Sequence, residues 1–357
     1  MNTRADHSED SSQQRRRPVA KEFWCEGDDG LFSQSWYPIC LSSEAKQGEI
    51  VGRPFLDGEV IVFRGPDGQA HVFSAFCVHM GANLKEGDVV DNRIRCPYHH
   101  WQYDGAGTCV KTGAGDPPPP SARLFEYPSQ ERWGLIFAFN GEEPLWDLPD
   151  FRNVDETRRY EDSELCTAAI KLDYFPEDPA RSALPLDPWM VITNPLDFQH
   201  FVTVHEMTFR DANPESGIVW SDHFAEFRIL STNRYGTPYN NHQGIYGNNC
   251  LYLSGDLDGK WFGFFAAQTI PKPGYSEIYF VAAADRGDGS PEAEEEAAKW
   301  ADFVIKMEVD FFMQDIPILR SLHFKPGLLT RIDKALSRHI DYLQSQPRAH
   351  PGAEFIR

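Results

Sequence analysis

Short, mainly apolar runs with β-like composition, separated by turn signals, begin at about residue 23. Such runs fill residues 59–64 and 134–139, and Asp57-Gly58 is a hairpin signal beside the first of them. Short runs rich in Val, Ile and Phe, bounded by Gly, Pro, Asn or Asp, are typical of strands joined by tight turns. The pattern predicts an all-β N-terminal domain over residues 23–150.

Longer runs in the rest of the chain mix strand-like and helical patterns, after an acidic, turn-rich stretch at residues 145–162. Strand-like runs recur at residues 166–174, 225–230, 250–253, 261–270 and 276–284. Helical patterns lie at residues 189–205, 292–313 and 328–345. They predict a second, α+β domain over residues 151–357, in which helices pack against an antiparallel sheet.

The composition supports a large apolar interior or pocket, because 41% of the residues are hydrophobic and 25 are Phe. Residues 1–22 are polar and charged, so we expect a disordered tail there. The net charge of −20 argues against nucleic acid and anionic lipid as partners. The sequence has no apolar run long enough to cross a membrane and no signal-peptide core, so we expect a cytoplasmic protein.

Cysteine usage favours metal ligation over disulfides, because the seven cysteines are an odd number in a chain that is not small and secreted. The strongest signal is a pair of short arms that each carry one Cys and one His: Cys77 with His79, and Cys96 with His99. A cluster with thiolates on one iron and imidazoles on the other needs this donor set. Structural zinc is the alternative, although its usual fingers pair two cysteines in one arm.

The two arms resemble the signature of Rieske [2Fe–2S] domains, with C-x-H followed by C-x2-H. Gly81-Ala82-Asn83-Leu84 after the first arm, and Trp101-Gln102-Tyr103 with Gly105 and Gly107 after the second, strengthen the resemblance, which covers roughly residues 35–140. Met80 stands where many members have Arg and resembles the branch that oxidises sterols and ketosteroids. His100 stands where many members have Gly, and we expect either a surface residue or a role in donor docking or proton coupling.

A second motif, Asp197-x2-His200-x4-His205, follows in the second domain. Iron(II) sites that activate dioxygen use two His and one carboxylate on one face of the metal. On a regular helix the two histidines would lie about 140° apart. We therefore expect an irregular or π-like turn between them.

The spacing of this motif resembles the mononuclear-iron motif of Rieske-type non-haem iron oxygenases. The resemblance implies that His200 and His205 are iron ligands, and that Asp197 bridges an iron-bound His to a cluster-bound His of a neighbouring subunit. It places the third ligand in a late acidic segment that continues into an apolar turn. Asp315 fits best, and Asp310 and Glu308 are the alternatives.

The resemblance implies the catalytic subunit of an oxygenase with a helix-grip, START-like second domain. It implies a [2Fe–2S] cluster, a mononuclear Fe(II), dioxygen as co-substrate, and NAD(P)H used indirectly through a reductase. The chain has no nucleotide-binding fingerprint of its own, so we expect a reductase or ferredoxin as donor and a homotrimer as the assembly. Basic residues near the cluster arms are candidates for the donor surface: Lys85, Arg93, Arg95 and Lys111.

The leading functional hypothesis is hydroxylation of a bulky apolar substrate, steroid-like or polycyclic. Demethylation of a methoxy- or N-methyl compound and a non-catalytic electron carrier remain open. Aromatic and aliphatic residues of the second-domain strands are expected to build the pocket: Tyr246, Leu251, Tyr252, Leu253, Trp261, Phe262, Phe264 and Phe265.

Overall fold

A computed structural model describes residues 25–173, 183–211, 214–322, 329–330 and 333–357 of the chain. The expected tail at residues 1–22 lies outside these residues, as do the end of the strand expected at 166–174 and the start of the helix expected at 328–345. Among the described helices, none is both long and apolar enough to span a membrane.

The N-terminal part is built from twelve short strands in chain order. They are β1 (Phe32–Ser33), β2 (Trp36–Leu41), β3 (Ile50–Phe55), β4 (Gly58–Arg64), β5 (Ala70–Ser74), β6 (Asp88–Val90), β7 (Arg93–Arg95), β8 (Gln102–Tyr103), β9 (Cys109–Lys111), β10 (Glu126–Tyr127), β11 (Ser129–Arg132) and β12 (Leu135–Phe139).

Three small antiparallel sheets share this part of the molecule, in the orders β10-β5-β4-β3, β11-β12-β2 and β6-β7-β8-β9. Leu56 and Asp57 adopt positive φ of 48° and 66° in the hairpin between β3 and β4, as a tight hairpin turn requires. The sheet β6-β7-β8-β9 carries the second Cys/His arm between β7 and β8. The all-β character expected of this region is confirmed.

The second part contains one large sheet. Its strands are β13 (Leu165–Lys171), β14 (Thr208–Phe209), β15 (Val219–Trp220), β16 (Phe224–Thr232), β17 (Pro238–Tyr246), β18 (Cys250–Leu257), β19 (Lys260–Thr269) and β20 (Glu277–Asp285). The order is β13-β20-β19-β18-β17-β16-β14, with β15 also on β16, and every pairing is antiparallel.

Helices complete the second part. They are α1 (Pro188–Ile192), α2 (Phe198–Thr203), α3 (Pro291–Leu319), α4 (Lys334–Ser345) and α5 (Ala353–Ile356). Short 3-10 helices lie at Ser42–Glu44, Leu84–Glu86, Asp162–Glu164, Asn194–Leu196 and Pro214–Gly217. The long helix α3 begins at an N-cap, Ser290, whose hydroxyl accepts a hydrogen bond from the Ala293 N–H.

The large sheet is buried on both faces, and the two faces serve different purposes. One face packs against α3 in a core that includes Phe264, Phe280 and Phe312. The other face packs against β2 and β12 of the N-terminal part, where Phe265 and Phe137 share a core. Because successive side chains of a strand point to opposite faces, neighbouring residues of β18 and β19 belong to different cores.

The C-terminal residues return to the N-terminal part of the molecule. The strand β21 (Arg348–Ala349) pairs with β1, and Ile356 of α5 is buried in the core beside Phe55 and Val60. Sequence analysis did not predict this contact, because two residues of strand carry no periodic signal.

Two expectations about helices need correction. The segment 189–205 is not one helix, since α1, a 3-10 turn and α2 succeed one another and α2 ends at Thr203. The helix α3 continues six residues beyond the expected end at Met313, so Asp315 lies on a helix and not at an apolar turn. Pro317 is tolerated near the end of α3, and the burial of Phe312, Ile316 and Leu319 favours continuation of the helix.

Candidate metal centres and substrate pocket

The two Cys/His arms have the same backbone turn. The Cys77 N–H donates to the Ala82 carbonyl at 2.9 Å, and the Cys77 carbonyl accepts from the Gly81 N–H at 2.8 Å. In the second arm the Cys96 N–H donates to the Trp101 carbonyl at 2.8 Å, and its carbonyl accepts from the His100 N–H at 3.1 Å. The two loops are therefore matched halves of one site.

This match explains the unusual residue at position 100. His100 occupies the position that Gly81 has in the first arm, and both adopt positive φ, 56° and 73°. Left-handed backbone favours glycine, which agrees with the glycine that many Rieske domains carry here. The His100 side chain is exposed.

The four side chains of the arms sort by chemical type. The Cys77 and Cys96 thiols are buried and hydrogen-bond to each other, which raises the pKa of Cys77 and lowers the pKa of Cys96. The imidazoles of His79 and His99 lie with ring centroids 4.8 Å apart, nearer the surface. Two thiols on one side and two imidazoles on the other fit a cluster with one Cys-bound and one His-bound iron.

Two aromatic residues support this arrangement. The Tyr103 hydroxyl lies 3.0 Å from Cys77 Sγ, and the Trp101 ring stacks on His79 with centroids 4.5 Å apart. A hydroxyl donor to a ligating sulfur stabilises negative charge there, so Tyr103 is placed to tune a reduction potential.

The basic residues near the arms are not equally free. Lys85 Nζ lies 3.1 Å from a Glu59 carboxylate oxygen, and Arg95 pairs with Asp88. Arg93 and Lys111 have no ion pair among the described residues. The expected basic patch is therefore reduced to two uncompensated cations.

The second motif is positioned by the start and end of α2. Asp197 is the N-cap, and its Oδ1 accepts a hydrogen bond from the His200 N–H at 3.1 Å. The helix ends at Thr203, and Glu206 then adopts a positive φ of 54°. This irregular turn, expected from the spacing, brings His205 back beside His200, with their Nε2 atoms 3.0 Å apart.

Asp315 completes a compact group of three donor atoms. Its Oδ1 lies 3.2 Å from His200 Nε2 and 3.4 Å from His205 Nε2. Donors bound to one ion at about 2.1 Å lie roughly 3.0–3.4 Å apart in octahedral or tetrahedral geometry. His200, His205 and Asp315 therefore fit a single ion and leave positions on it open.

The alternative carboxylates lie elsewhere. Asp310 is exposed on the outer face of α3. Glu308 lies on the same face as Asp315, but its Oε1 accepts a hydrogen bond from the Tyr239 hydroxyl at 3.0 Å.

The electrostatics of the triad favour an ionised carboxylate. Burial opposes ionisation of Asp315, but the adjacent imidazoles of His200 and His205 outweigh it and lower the pKa of the carboxyl. The second oxygen, Oδ2, accepts a hydrogen bond from Asn194 Nδ2 at 2.8 Å, which fixes the orientation of the carboxylate. A buried, oriented carboxylate beside two imidazoles is a good site for a divalent cation.

A cavity opens directly onto the triad, and the empty space in it together with the open solvent at its mouth is about 810 Å³. Its wall is mainly apolar and comes from α1, α2, the loop after α2, α3 and one face of the large sheet: Val191, Ile192, Phe201, Met207, Ile229, Leu251, Leu253, Phe264, Ala266, Ile278, Phe280, Phe311 and Phe312. Four polar residues of the wall were not predicted from the sequence: Tyr239, Asn241, Gln243 and Gln268. Glu308, which was expected only as an alternative iron ligand, also lines the cavity.

The prediction of pocket residues is right for Leu251, Leu253 and Phe264, which line the cavity. It is wrong for the other five. Tyr246, Tyr252, Trp261 and Phe265 lie on the opposite face of the sheet, and Phe262 is buried in the core behind the cavity wall.

Comparison with known proteins agrees with the first site. Residues 35–128 match the Rieske [2Fe-2S] domain family. A cholesterol 7-desaturase of Ciona intestinalis is 33% identical over 146 residues, which are 39% of this chain and 30% of that protein. The oxygenase component of a 3-ketosteroid-9-alpha-monooxygenase of Rhodococcus rhodochrous is 27% identical over 177 residues, 49% of this chain and 44% of that protein. The chain thus spans less than half the length of these relatives.

Solved structures share the fold over most of the chain. NdmA of Pseudomonas putida CBB5 with caffeine has a TM-score of 0.61 at 19% identity, covering 87% of this chain and 89% of its own. Dicamba monooxygenase bound to dicamba has a TM-score of 0.60 at 19% identity, covering 88% and 97%. The solved structures confirm the fold. The resemblance to proteins that oxidise sterols and ketosteroids rests on the partial sequence matches.

Proposed function

Starting from a chain that carries a Rieske [2Fe-2S] domain, we propose that it is the oxygenase component of an enzyme that oxidises a bulky apolar substrate. The observation that carries the proposal is the second site: His200 Nε2, His205 Nε2 and Asp315 Oδ1 lie within 3.4 Å of one another at the apolar cavity. An electron carrier would need the first site but neither the triad nor the cavity.

The two sites divide the chemistry. Cys77, His79, Cys96 and His99 would hold the cluster and His200, His205 and Asp315 the iron; when bound, these groups deliver single electrons and activate dioxygen. The residues of this chain contribute the rest. Asn194 holds the carboxylate, α2 sets the separation of the two imidazoles, and the cavity wall excludes water and positions the substrate.

Asp197 is proposed as the electronic bridge between two protomers. Its Oδ1 is used by the His200 N–H, and its Oδ2 has no hydrogen bond among the described residues. His79 is exposed, so an acceptor on another chain has access to it. A ring of protomers, with the trimer as our proposal, would bring one chain's cluster to the next chain's Asp197.

An external reductase or ferredoxin is proposed as the electron donor, with NAD(P)H as the ultimate source and the cytoplasm as the compartment. Arg93 and Lys111 are our candidates for its docking surface, because Lys85 and Arg95 are already paired with acids. On a chain of net charge −20, two uncompensated cations beside the cluster arms favour docking there.

The substrate class is proposed from the wall of the cavity. Aromatic and aliphatic side chains around the triad favour a rigid apolar body over a small polar compound. A steroid-like or polycyclic molecule matches the apolar character of this wall. Demethylation of a smaller N-methyl or methoxy compound is the competing reaction, and the structural neighbours do not favour it because their identity to this chain is only 18–19%.

Iron content combined with spectroscopy tests the proposal. We expect about three irons per chain and a Rieske-type EPR signal on reduction. The variant His205→Ala should keep about two irons and the signal but lose substrate-dependent oxygen uptake. Two irons in the unaltered protein would support the electron carrier, and a colourless protein containing zinc would contradict both proposals.

A further inference from the structure

The cavity contains a second polar centre apart from the triad, formed by Glu308 and Tyr239. The two acids Glu308 and Asp315 are seven residues apart on α3, so both face the cavity, roughly 10 Å from each other along the helix. Between them the wall is apolar, with Phe311 and Phe312. The triad and the Glu308–Tyr239 pair therefore lie at two places in the cavity, two helical turns apart on α3, and the other uncharged polar side chains of the wall are Asn194, Asn241, Gln243 and Gln268.

The Glu308 side chain is only half satisfied. The Tyr239 hydroxyl donates to Oε1 at 3.0 Å, and among the described residues nothing donates to Oε2. Only 7% of the surface of Glu308 is exposed to solvent, and the residue forms part of the cavity wall. A carboxyl oxygen that faces a cavity without a protein partner is available to a water molecule or to a polar group of a ligand.

The protonation states of Glu308 and Tyr239 limit the kinds of ligand group that can hydrogen-bond to Glu308. Burial raises the pKa of Glu308 to about 7, against the opposing hydrogen bond from Tyr239. Burial and the nearby Glu308 hold the pKa of Tyr239 well above its usual range, so its hydroxyl stays a donor. An alcohol can accept from a neutral carboxyl group and donate to an ionised one, whereas a ketone can only accept and therefore pairs only with the neutral form.

We propose that Glu308, held by Tyr239, binds a hydroxyl group at the end of the substrate away from the oxidised carbon. This inference rests on the proposed function, because it deepens the same site. It makes the substrate a hydroxylated apolar molecule and makes Glu308 a specificity-determining residue. Tyr239 is a positioning residue that fixes the orientation of the carboxyl.

Equilibrium binding tests the inference without relying on turnover. Calorimetric titration of the iron-loaded protein with 5α-androstan-3β-ol, 5α-androstan-3-one and 5α-androstane separates the hydroxyl, the ketone and the bare ring system. The alcohol should bind about 10- to 100-fold more tightly than the hydrocarbon. Glu308→Leu should abolish this preference, and Glu308→Gln should keep most of it.

The chain offers a matched control for folding. Tyr246 lies on the same strand as Tyr239 but on the opposite face of the sheet, and its hydroxyl donates to Glu226. Tyr239→Phe should reduce the preference for the alcohol severalfold, whereas Tyr246→Phe should leave it unchanged. These conservative variants keep the test decisive if Glu308→Leu does not fold.

The opposing outcomes are distinct. Equal binding of the alcohol and the hydrocarbon, a preference that survives Glu308→Leu, tighter binding of the ketone, or no binding of any probe would each overturn the inference. Failure of the proposed function would appear separately, as a missing third iron or as no substrate-dependent oxygen uptake across a wider panel of compounds.

Discussion

Asn194 Nδ2 donates a 2.8 Å hydrogen bond to Asp315 Oδ2, and this contact joins two segments that are 121 residues apart. It orients the carboxylate whose other oxygen lies beside the two imidazoles. The carboxylate that completes the second metal site is thus oriented by Asn194, which lies three residues before Asp197 in the segment of the second motif.

Removing this hydrogen bond should weaken metal binding. For Asn194→Ala we expect about a 10- to 100-fold loss of affinity for iron(II), because partners of a metal-binding side chain fix its orientation. Competition with a chelator measures the change. Gln199→Ala is the control, since Gln199 is exposed on α2 and bonds to Asp333 instead. Equal affinities in the two variants would contradict the assigned role of Asn194.

The hydroxyl of Tyr103 should raise the reduction potential of the cluster. Its contact with Cys77 Sγ stabilises added negative charge, so Tyr103→Phe should lower the midpoint potential by about 40 mV, which corresponds to one hydrogen bond of about 1 kcal/mol. Redox titration followed by EPR measures it. Tyr98→Phe also removes a phenolic hydroxyl near the arms, but from an exposed residue, and should leave the potential unchanged.

Docking of the electron donor should depend on Arg93 and Lys111. The double variant Arg93→Ala, Lys111→Ala should slow reduction of the cluster at low salt and flatten its dependence on ionic strength. Stopped-flow reduction by an acidic ferredoxin measures both effects. Lys85→Ala should change the rate less, because Lys85 is already paired with Glu59. A larger effect of Lys85→Ala would move the docking surface.

The ionisation of Glu308 should make stability depend on pH. Its folded pKa of about 7 lies above the ordinary value of 4.5, so its favourable contribution is present below pH 4.5 and is lost as the pH rises through 7. The free energy of unfolding of the unaltered protein should fall by about 3 kcal/mol between pH 4.5 and pH 7 because of Glu308, at about 1.4 kcal/mol per pKa unit. In Glu308→Gln this fall should be absent. Urea unfolding of both proteins from pH 5 to pH 8 measures the difference, and parallel curves would exclude a buried carboxyl that titrates near 7.

The sequence predicts the local parts of both sites and leaves the long-range parts open. The Cys/His arms are contiguous, so their spacing alone indicates the donor set. Which acid supplies the third carboxylate depends on the face of α3 on which each acid lies. Asp310 lies about 140° from Asp315 on a helix, whereas Glu308 and Asp315 share a face, and only the packing against Tyr239 separates these two.

The pocket residues could be predicted only in part, for a different physical reason. A sheet with one face in water has polar residues that reveal which positions point inward. The large sheet here is covered on both faces, so Leu251 and Tyr252 are equally apolar signals although they face different cores. The polar residues of the wall were not predicted for the same reason. A single Asn241 or Gln268 within a strand does not indicate that it faces a cavity.

Because this sheet is buried on both faces, each strand carries two nearly independent sets of side chains, one facing the cavity and one facing the N-terminal part. Substitutions at Leu251, Leu253 and Phe264 change the shape offered to a small molecule, while those at Cys250, Tyr252 and Phe265 change how the two halves of the chain hold together. Selection for a new substrate could therefore change the cavity-facing residues, every second residue of β18 and β19, without weakening the packing that holds the N-terminal part against the sheet.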